Sequence, residues 1–269
     1  MIELHSIISG SSGNCSLVTD GETNILIDCG SSGKRILNSL QQLDVEPEDI
    51  SAIVVTHEHT DHTKGVGVLA RKLKIPVFAT AGTHSAMEVG KLTDEQCRIV
   101  TADTQYSFGN IGFTPFSIPH DAAEPCGYTF TDGETKVAVA TDMGCMTKDL
   151  FSHISGSKSI ILESNHDIEM LKVGPYPYKL KRRILGNYGH LSNRIAAITT
   201  LRLIQTGTEH IMLGHLSEHN NMPGLALLET TNHLRKHDVD VDRDATIQVA
   251  DRYKITSFSK GGTGKCIYQ

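Results

Sequence analysis

Apolar positions in the first part of the chain fall in short runs rather than at helical spacing. "IELHSII" (residues 2–8), "CSLVT" (15–19) and "TNILIDC" (23–29) are β-branched and apolar, and "SGSSGN" and "DGE" between them carry turn residues. They predict three successive strands. "KRILNSLQQL" (34–43) predicts a helix, and "AIVVT" (52–56) is a continuous apolar run, as in a strand buried on both faces. "TKGVGVLARKLK" (63–74) predicts a second helix and "PVFAT" (76–80) another strand. The cycle then repeats. "RIV", "GFTPFSIPH" (112–120), "CGYTFT" (126–131) and "KVAVATD" (136–142) predict strands, followed by a helix over 146–154 and a strand at "SIILES" (159–164). A helix over 193–205 has Ser192 as its N-cap, "HIMLGH" (210–215) is a strand, and "PGLALLETTNHLRK" (223–236) is a helix with proline in its first turn. "ATIQVADRYKITSF" (245–258) closes the pattern as one strand. Each half is strands followed by strand–helix alternation. The pattern predicts an α/β (α+β) fold of two mixed sheets packed face to face with helices outside, in one domain spanning residues 1–269.

Composition changes this picture little. With no Trp and 5% aromatics, the core must be built from Ile, Leu, Val and Ala. The start "MIELHSIISG" has no basic leader, and no window approaches a membrane span, so the expectation is a soluble, cytoplasmic protein. The cysteines Cys15, Cys29, Cys97, Cys126, Cys145 and Cys266 form no C-x-x-C pair and read as reduced core thiols, which disfavours a thiolate zinc site. Charge is more informative. The chain carries −6 overall, yet from Leu171 to Thr206 there are seven basic residues and no acid. A local basic face on an acidic body is the footprint of a protein that holds a polyanion in one place, and nucleic acid is the expected partner there. The alternative is a solvated helix face.

The candidate chemistry starts at the end of "AIVVT". "HEHTDH" places His57, His59, Asp61 and His62 in a strand-to-helix loop, where α/β folds keep ligands. It is not an H-E-x-x-H zincin, because Asp61 stands where the second histidine would be. In an extended turn His57 and His59 point the same way, while Asp61 and His62 come after the bend. A two-and-two split suggests two metals. Three further strand ends supply the remaining ligands: His120 after "FSIP", Asp142 after "VAVAT" and His215 after "IMLG". The expected sites are His57, His59, His120 and Asp142 for one metal and Asp61, His62, Asp142 and His215 for the other, with Asp142 bridging. Histidine and carboxylate donors suit zinc by default and manganese or iron as well.

The order "THEHTDH", "PHD", "ATDMG" and "GHLS" resembles the metallo-β-lactamase fold hydrolases across nearly the whole chain. The resemblance implies a four-layer αββα sandwich with a dinuclear site at its edge. A histidine at position 59, where flavodiiron oxidoreductases have an acid, implies a hydrolase. An acid at position 142 departs from the true β-lactamases. "SGSSGN", "ESNHD", "GHLSN" and "GHLSEHNN" resemble the YycJ/WalJ-type small nucleases, which implies a 5′–3′ exonuclease on DNA. "GHLSN" is also similar to tRNA 3′-end ribonucleases. The 72 residues between Asp142 and His215 leave no room for a β-CASP insertion.

The expected mechanism is attack on phosphorus by a hydroxide shared between the two metals, with Asp61 orienting it. His190, at the start of the 193–205 helix and inside the basic segment, is the expected phosphate holder or proton donor. Ser192 and Asn14 join it as candidate substrate contacts. Asp28 is expected to brace the H-x-H loop, and Glu163 and His166 to form an outer layer. Tyr176, Tyr178 and Tyr188 are candidate stacking groups, and His219 is a weaker site candidate. His5, His84, His153, His210, His233 and His237 are read as structural or surface. Two other functions fit the same metal core: a small-molecule hydrolase of thioesters, lactones or cyclic phosphodiesters, and an RNA-processing nuclease. A non-catalytic regulator is disfavoured by the near-complete ligand set.

Overall fold

The computed structural model describes residues 1–258. The first sheet takes β1 (Glu3–Ile8), β2 (Cys15–Thr19) and β3 (Asn24–Ile27), then α1 (Gly33–Leu40), β4 (Ile50–Val54), α2 (Thr60–Thr63), α3 (Val66–Leu73), β5 (Val77–Ala79), α4 (Ala81–Ala86) and β6 (Cys97–Ile99). The second takes β7 (Tyr106–Phe108), β8 (Ile111–Ser117), β9 (Cys126–Thr131), β10 (Lys136–Ala140), α5 (Lys148–Ile154) and β11 (Ser159–Glu163). It continues through α6 (Ile168–Val173), α7 (Tyr178–Ile184), α8 (Asn193–Gln205), β12 (His210–Gly214), α9 (Pro223–Arg235) and β13 (Thr246–Val249), and β14 (Thr256–Ser257) ends the described chain. The sheet orders are β14-β1-β2-β3-β4-β5-β6 and β13-β12-β11-β10-β9-β8-β7. In each half the chain starts as an antiparallel meander and turns parallel, at β3–β4 and at β10–β11.

Side-chain alternation builds the layers. In β3, Ile25 and Ile27 point between the sheets and Leu26 toward α1 and α3. In β11, Ile161 points inward while Ile160 and Leu162 meet α5 and α8. A dry layer of Val18, Val54, Phe113, Tyr128, Val139 and Met212 therefore lies between the two sheets, with a helical layer on each outer face. This is the four-layer αββα sandwich expected from the sequence. Among the described residues no helix is long and apolar enough to cross a membrane.

The structure corrects several elements. The helix expected over 63–74 is α2 and α3, broken at Gly65, whose N–H donates to Cys29 O at 2.7 Å and where a Cβ would come within 2.4 Å of Ser31 O. That contact pins the metal-candidate loop to the end of β3. The helix expected over 34–43 tightens into a 3₁₀ turn at Gln41–Leu43. The closing strand is two. Asp251 accepts from Tyr253 N and Lys254 N, making a turn that carries the chain from β13 in one sheet to β14 in the other. Two unforeseen short helices appear: α6 leads into the basic segment and α7 lies within it. Not all cysteines are core thiols: Cys15, Cys29 and Cys126 are buried, Cys145 is half-buried and Cys97 is exposed, while Cys266 lies outside the described residues.

Candidate metal centre

Strands β4, β8, β10 and β12 end at one rim of the sandwich with the candidate ligands just past those ends, and β3 and β11 end beside them with Asp28 and Glu163. Three of the turns use left-handed backbone at non-glycine residues, with φ of 57° at Asp28, 59° at Asp142 and 56° at His215. Such a conformation costs about 1–3 kcal/mol where the surroundings impose it. It swings each side chain off its strand and into the rim.

There the residues converge. His57 Nε2 lies 3.0 Å from His59 Nδ1, and the His120 ring is 5.0 Å from that of His57. On the other side, His62 Nε2 is 3.3 Å and His215 Nε2 is 3.3 Å from the two oxygens of Asp142. Asp61 Oδ2 stands 3.6 Å from His62 Nε2 and 3.7 Å from His215 Nε2. Asp142 Oδ1 also reaches to 3.9 Å from His120 Nε2, which puts this carboxylate between the two groups. His57, His59 and His120 form one cluster with donor atoms within 4.8 Å of one another, and Asp61, His62 and His215 form another.

In four of the five histidines Nδ1 bonds to the protein behind the centre, which orients the rings. His62 Nδ1 donates to Asp28 Oδ2 at 2.7 Å, His215 Nδ1 to Glu163 Oε1 at 3.0 Å and His120 Nδ1 to Gly189 O at 3.2 Å. His57 Nδ1 donates to Thr56 Oγ1 at 3.0 Å, and that hydroxyl donates to Asp28 Oδ2 at 2.8 Å. The Nε2 atoms of His57, His62, His120 and His215 therefore face the centre, and His59 presents Nδ1 to it, the arrangement by which a protein prepares histidines for a cation. His120 Nε2, His215 Nε2 and Asp142 Oδ2 are buried without a hydrogen-bond partner. Leaving three such atoms unpaired is expensive unless a ligand satisfies them. The donor set fits divalent metal ions.

Electrostatics agree. Burial, reinforced by the surrounding imidazoles, holds His57 well below the usual histidine range, so it stays a neutral donor. Burial also disfavours charge on His62, but Asp142, Asp28 and Asp61 outweigh it and lift its pKa to about 9. His215 is raised against the same burial cost by Asp142, Asp61 and Glu163. Asp61 is kept ionised by His62 and His215 despite its burial.

Glu163 is the hub beneath the rim. Its carboxylate is fully buried and accepts from His190 Nδ1 (2.8 Å), His215 Nδ1 (3.0 Å), Met143 N (2.8 Å) and Leu191 N (3.2 Å). It thereby couples the end of β12 to the turn before α8. His190 Nδ1 lies 3.7 Å from Asp142 Oδ1, so the ring stands at the edge of the centre. Asn14 Nδ2 sits 3.1 Å from His62 Nε2 and borders it from the Gly-rich turn. Ser192 is occupied differently: its hydroxyl accepts from Ile195 N and caps α8. His166 pairs with Ser192 through the backbone, and its buried ring contacts no donor group of the centre. Burial drops its pKa to about 4. His219 packs on Tyr176 instead. Sequence reasoning missed Thr56 and Asn165, whose Nδ2 donates to His215 O at 2.9 Å. It also missed the buried cross-link of Ser164, Asn193 and Asn221 that ties three loops together. Their only sequence signal was the polar character of "ESNHD" and "EHNN" directly after strand ends.

The seven positive charges from Leu171 to Thr206 do not form one face. Lys172 pairs with Glu169, and Arg202 stacks on Phe151 at 3.9 Å. That stack is at the far end of α8, about 15 Å of helix from Ser192. Arg183 grips Asp121 with Nε and Nη2, next to His120.

Two buried carboxylates orienting histidines around a shared third, at the rim of an αββα sandwich, define a metal-dependent hydrolase. A family model described as "Beta-lactamase superfamily domain" matches residues 23–216. Exodeoxyribonuclease YycJ of Bacillus anthracis is 40% identical over 247 residues, covering 91% of this chain and 94% of that protein. Exodeoxyribonuclease WalJ of Streptococcus pneumoniae is 38% identical over 242 residues, covering 88% and 90%. The chain belongs to the β-lactamase superfamily and, within it, to the YycJ/WalJ-type proteins. The crystal structure of the metallo-β-lactamase fold protein YhfI from Bacillus subtilis superposes with a TM-score of 0.71 at 17% identity, over 96% of this chain and 99% of that one. Human tRNase Z, short form, gives 0.63 at 15% identity, over 96% and 100%.

Proposed function

We propose that the protein is a dinuclear metal-dependent phosphodiesterase that degrades DNA as a 5′–3′ exonuclease in the cytoplasm. His57, His59 and His120 would hold one metal, Asp61, His62 and His215 the other, with Asp142 shared. Zinc is the default occupant, and manganese or iron suits the same donors. Bound there, the ions supply an activated water and offset charge growing on the phosphoryl oxygens.

The observation that carries this reading is the Glu163–His190 pair. Glu163 holds Nδ1–H of His190, and the other ring nitrogen makes no hydrogen bond to a described protein group. The imidazole is thus oriented and only partly covered, at the point where the basic segment meets the metal cluster. From there it would hold the scissile phosphate or pass a proton to the leaving oxygen. Asn14 borders the same space, and Asp28 and Thr56 keep the H-x-H loop in place. Ser192 contributes by capping α8 just behind His190. The choice of DNA is supported by the names of YycJ and WalJ, which match over nearly their whole lengths.

The test is direct. The protein is purified with Mn²⁺ or Zn²⁺ and given end-labelled double-stranded DNA, single-stranded DNA, RNA and a thioester, with Asp61→Ala as control. DNA should shorten from its 5′ end in the wild type only. Turnover confined to RNA, or to the thioester or a lactone, would overturn the assignment.

A further inference from the structure

A second cationic group stands beside His62 and His215, far along the chain from the basic segment 171–206. It is assembled from three separate segments: the Gly/Ser-rich turn 9–14, the start of α1, and the turn 251–254 between β13 and β14. The first of these is fastened to the ligands of one metal. Asn14 N donates to Asp61 O at 2.8 Å, Asn14 Nδ2 lies 3.1 Å from His62 Nε2, and Ser9 Oγ accepts from His215 N at 2.8 Å. Arg252 then joins the other side of that turn to the loop after His215. Its Nη2 donates to Leu216 O at 2.9 Å and its Nη1 to Ser12 Oγ at 3.4 Å. The guanidinium lies against Gly10, where a Cβ would meet Nη1 at 3.0 Å.

Arg35 of α1 extends the same group. Its guanidinium stands 5.3 Å over the ring of Tyr253, and its Nη2 reaches Tyr253 O at 3.5 Å. Lys34 and Lys254, the chain neighbours of these two residues, are exposed. Two acids border the group. Asp251 accepts from Tyr253 N and Lys254 N, and Glu218 stands 3.7 Å from Arg252 Nη1, too long for a hydrogen bond. Four cations therefore face two acids. Several donors have no use inside the protein. Ser11 and Ser12 are exposed, and neither their N–H groups nor Arg252 Nε makes a hydrogen bond to a described residue. The metal chemistry uses none of them.

The geometry points to a docking surface for the sugar–phosphate backbone of the DNA beside the metal centre, with Arg252 and Arg35 each on a phosphate and the N–H groups of Ser11 and Ser12 as neutral donors. The inference rests on the nuclease reading above and adds the path of the strand: over the turn 9–14, past His62 and His215, toward His190. Contacts of this kind fix register and orientation on the nucleic acid and carry no base identity. They ask only for phosphates, so a paired strand satisfies them without unstacking. The fixing of the turn to Asp61, His62 and His215 gives the surface its purpose, because a phosphate held there sets the distance of the next one from the metals.

The test uses the metal-loaded full chain and a fluorescent DNA duplex with phosphorothioate linkages, read by anisotropy over a series of salt concentrations so that binding is measured apart from turnover. Arg252→Gln keeps an N–H donor for Leu216 O and removes the charge, and Arg35→Gln removes the other charge. Each should bind about eightfold more weakly at about 0.1 M salt, and its plot of log K against log salt should be shallower by about 0.9, the value of one phosphate contact. Arg252→Lys, which keeps the charge, should bind within about twofold of wild type with the wild-type slope. Wild-type affinity and slope in either glutamine variant overturns the surface. Weaker binding by Arg252→Gln with an unchanged slope overturns it too, since Arg252 would then only brace the turn. If wild type and variants bind in the predicted pattern but the wild type degrades no ordinary DNA, the nuclease reading fails and the surface stands. If DNA is degraded and the glutamine variants keep the wild-type slope, the surface fails alone.

Discussion

Replacing Glu163 by glutamine changes one oxygen of a fully buried carboxylate to an NH₂ group. All four hydrogen bonds to that carboxylate come from N–H donors: His190 and His215 on Oε1, Met143 N and Leu191 N on Oε2. An amide nitrogen accepts none of them, so at least one pair of donors loses its partner. Each lost bond to a charged acceptor is worth roughly 1.5–3 kcal/mol, so the pair costs at least about 3 kcal/mol. For a chain of this size that lowers the melting temperature by about 6–12 °C. If the amide turns its NH₂ toward the histidines, His215 loses its fixed tautomer and metal affinity falls about 10- to 100-fold. The assay is thermal denaturation with chelator present, paired with metal titration of the folded protein. A variant melting within about 2 °C of wild type and binding metal equally would refute the hub role, since the shift expected is several-fold larger. The pH dependence gives a second check. Burial opposes ionisation of Glu163, but His190 and His215 hold its carboxyl well below the usual range. A depressed pKa contributes stability that is complete above the unfolded value near about 4.3 and is lost as pH falls through the folded one. The stability gap between wild type and Glu163→Gln should therefore narrow below about pH 4.

Three further outcomes follow from the same geometry. His190→Ala should keep its metals and lose about 10²-fold or more in kcat on DNA, and full activity with metals retained would remove His190 from the reaction. Gly30→Ala should cost about 3 kcal/mol or more in chemical denaturation. The reason is steric: a Cβ there would come within 1.7 Å of Asp61 O and 2.5 Å of Asn14 N, both backbone atoms, so an unchanged midpoint would contradict this packing. His62 carries a pKa of about 9 when only protein surrounds it, so its proton must leave for Nε2 to bind metal. Affinity in chelator-buffered zinc titrations should rise with pH up to that value by about tenfold per unit per proton released, and a flat profile from pH 6 to 9 would count against His62 as a ligand.

The ends of apolar runs were the readable part of this chain. "AIVVT", "VAVAT" and "IMLG" are fully buried strands, and a histidine or aspartate directly after each is conspicuous because such residues rarely continue a core. What sequence could not show is that Asp28, Asp142 and His215 turn through left-handed backbone, because that is imposed by the rim and not by local propensity. Glu163 was visible as a strand-end acid, but its four donors come from three distant loops. The basic segment misled in shape. Its residues are consecutive along the chain, yet α6, α7 and α8 send Lys172, Arg183 and Arg202 in separate directions, each to a partner outside the segment. The short helices on either side of "GPYP", α6 and α7, give no clear periodicity to read. The final strand was read through its turn, since "DRYK" lacks glycine and proline and depends on the Asp251 side chain for its geometry.

The central claim is that seven side chains from four strand ends bind two metals for DNA hydrolysis. It is tested most directly by elemental analysis of the purified protein alongside degradation of end-labelled DNA, for wild type and Asp142→Asn. Two metal ions per wild-type chain, about one or fewer in the variant, and 5′-end degradation that disappears with the lost metal are the predicted result. A wild-type chain that holds no divalent metal, or an Asp142→Asn protein that keeps both ions and full activity, would contradict the account.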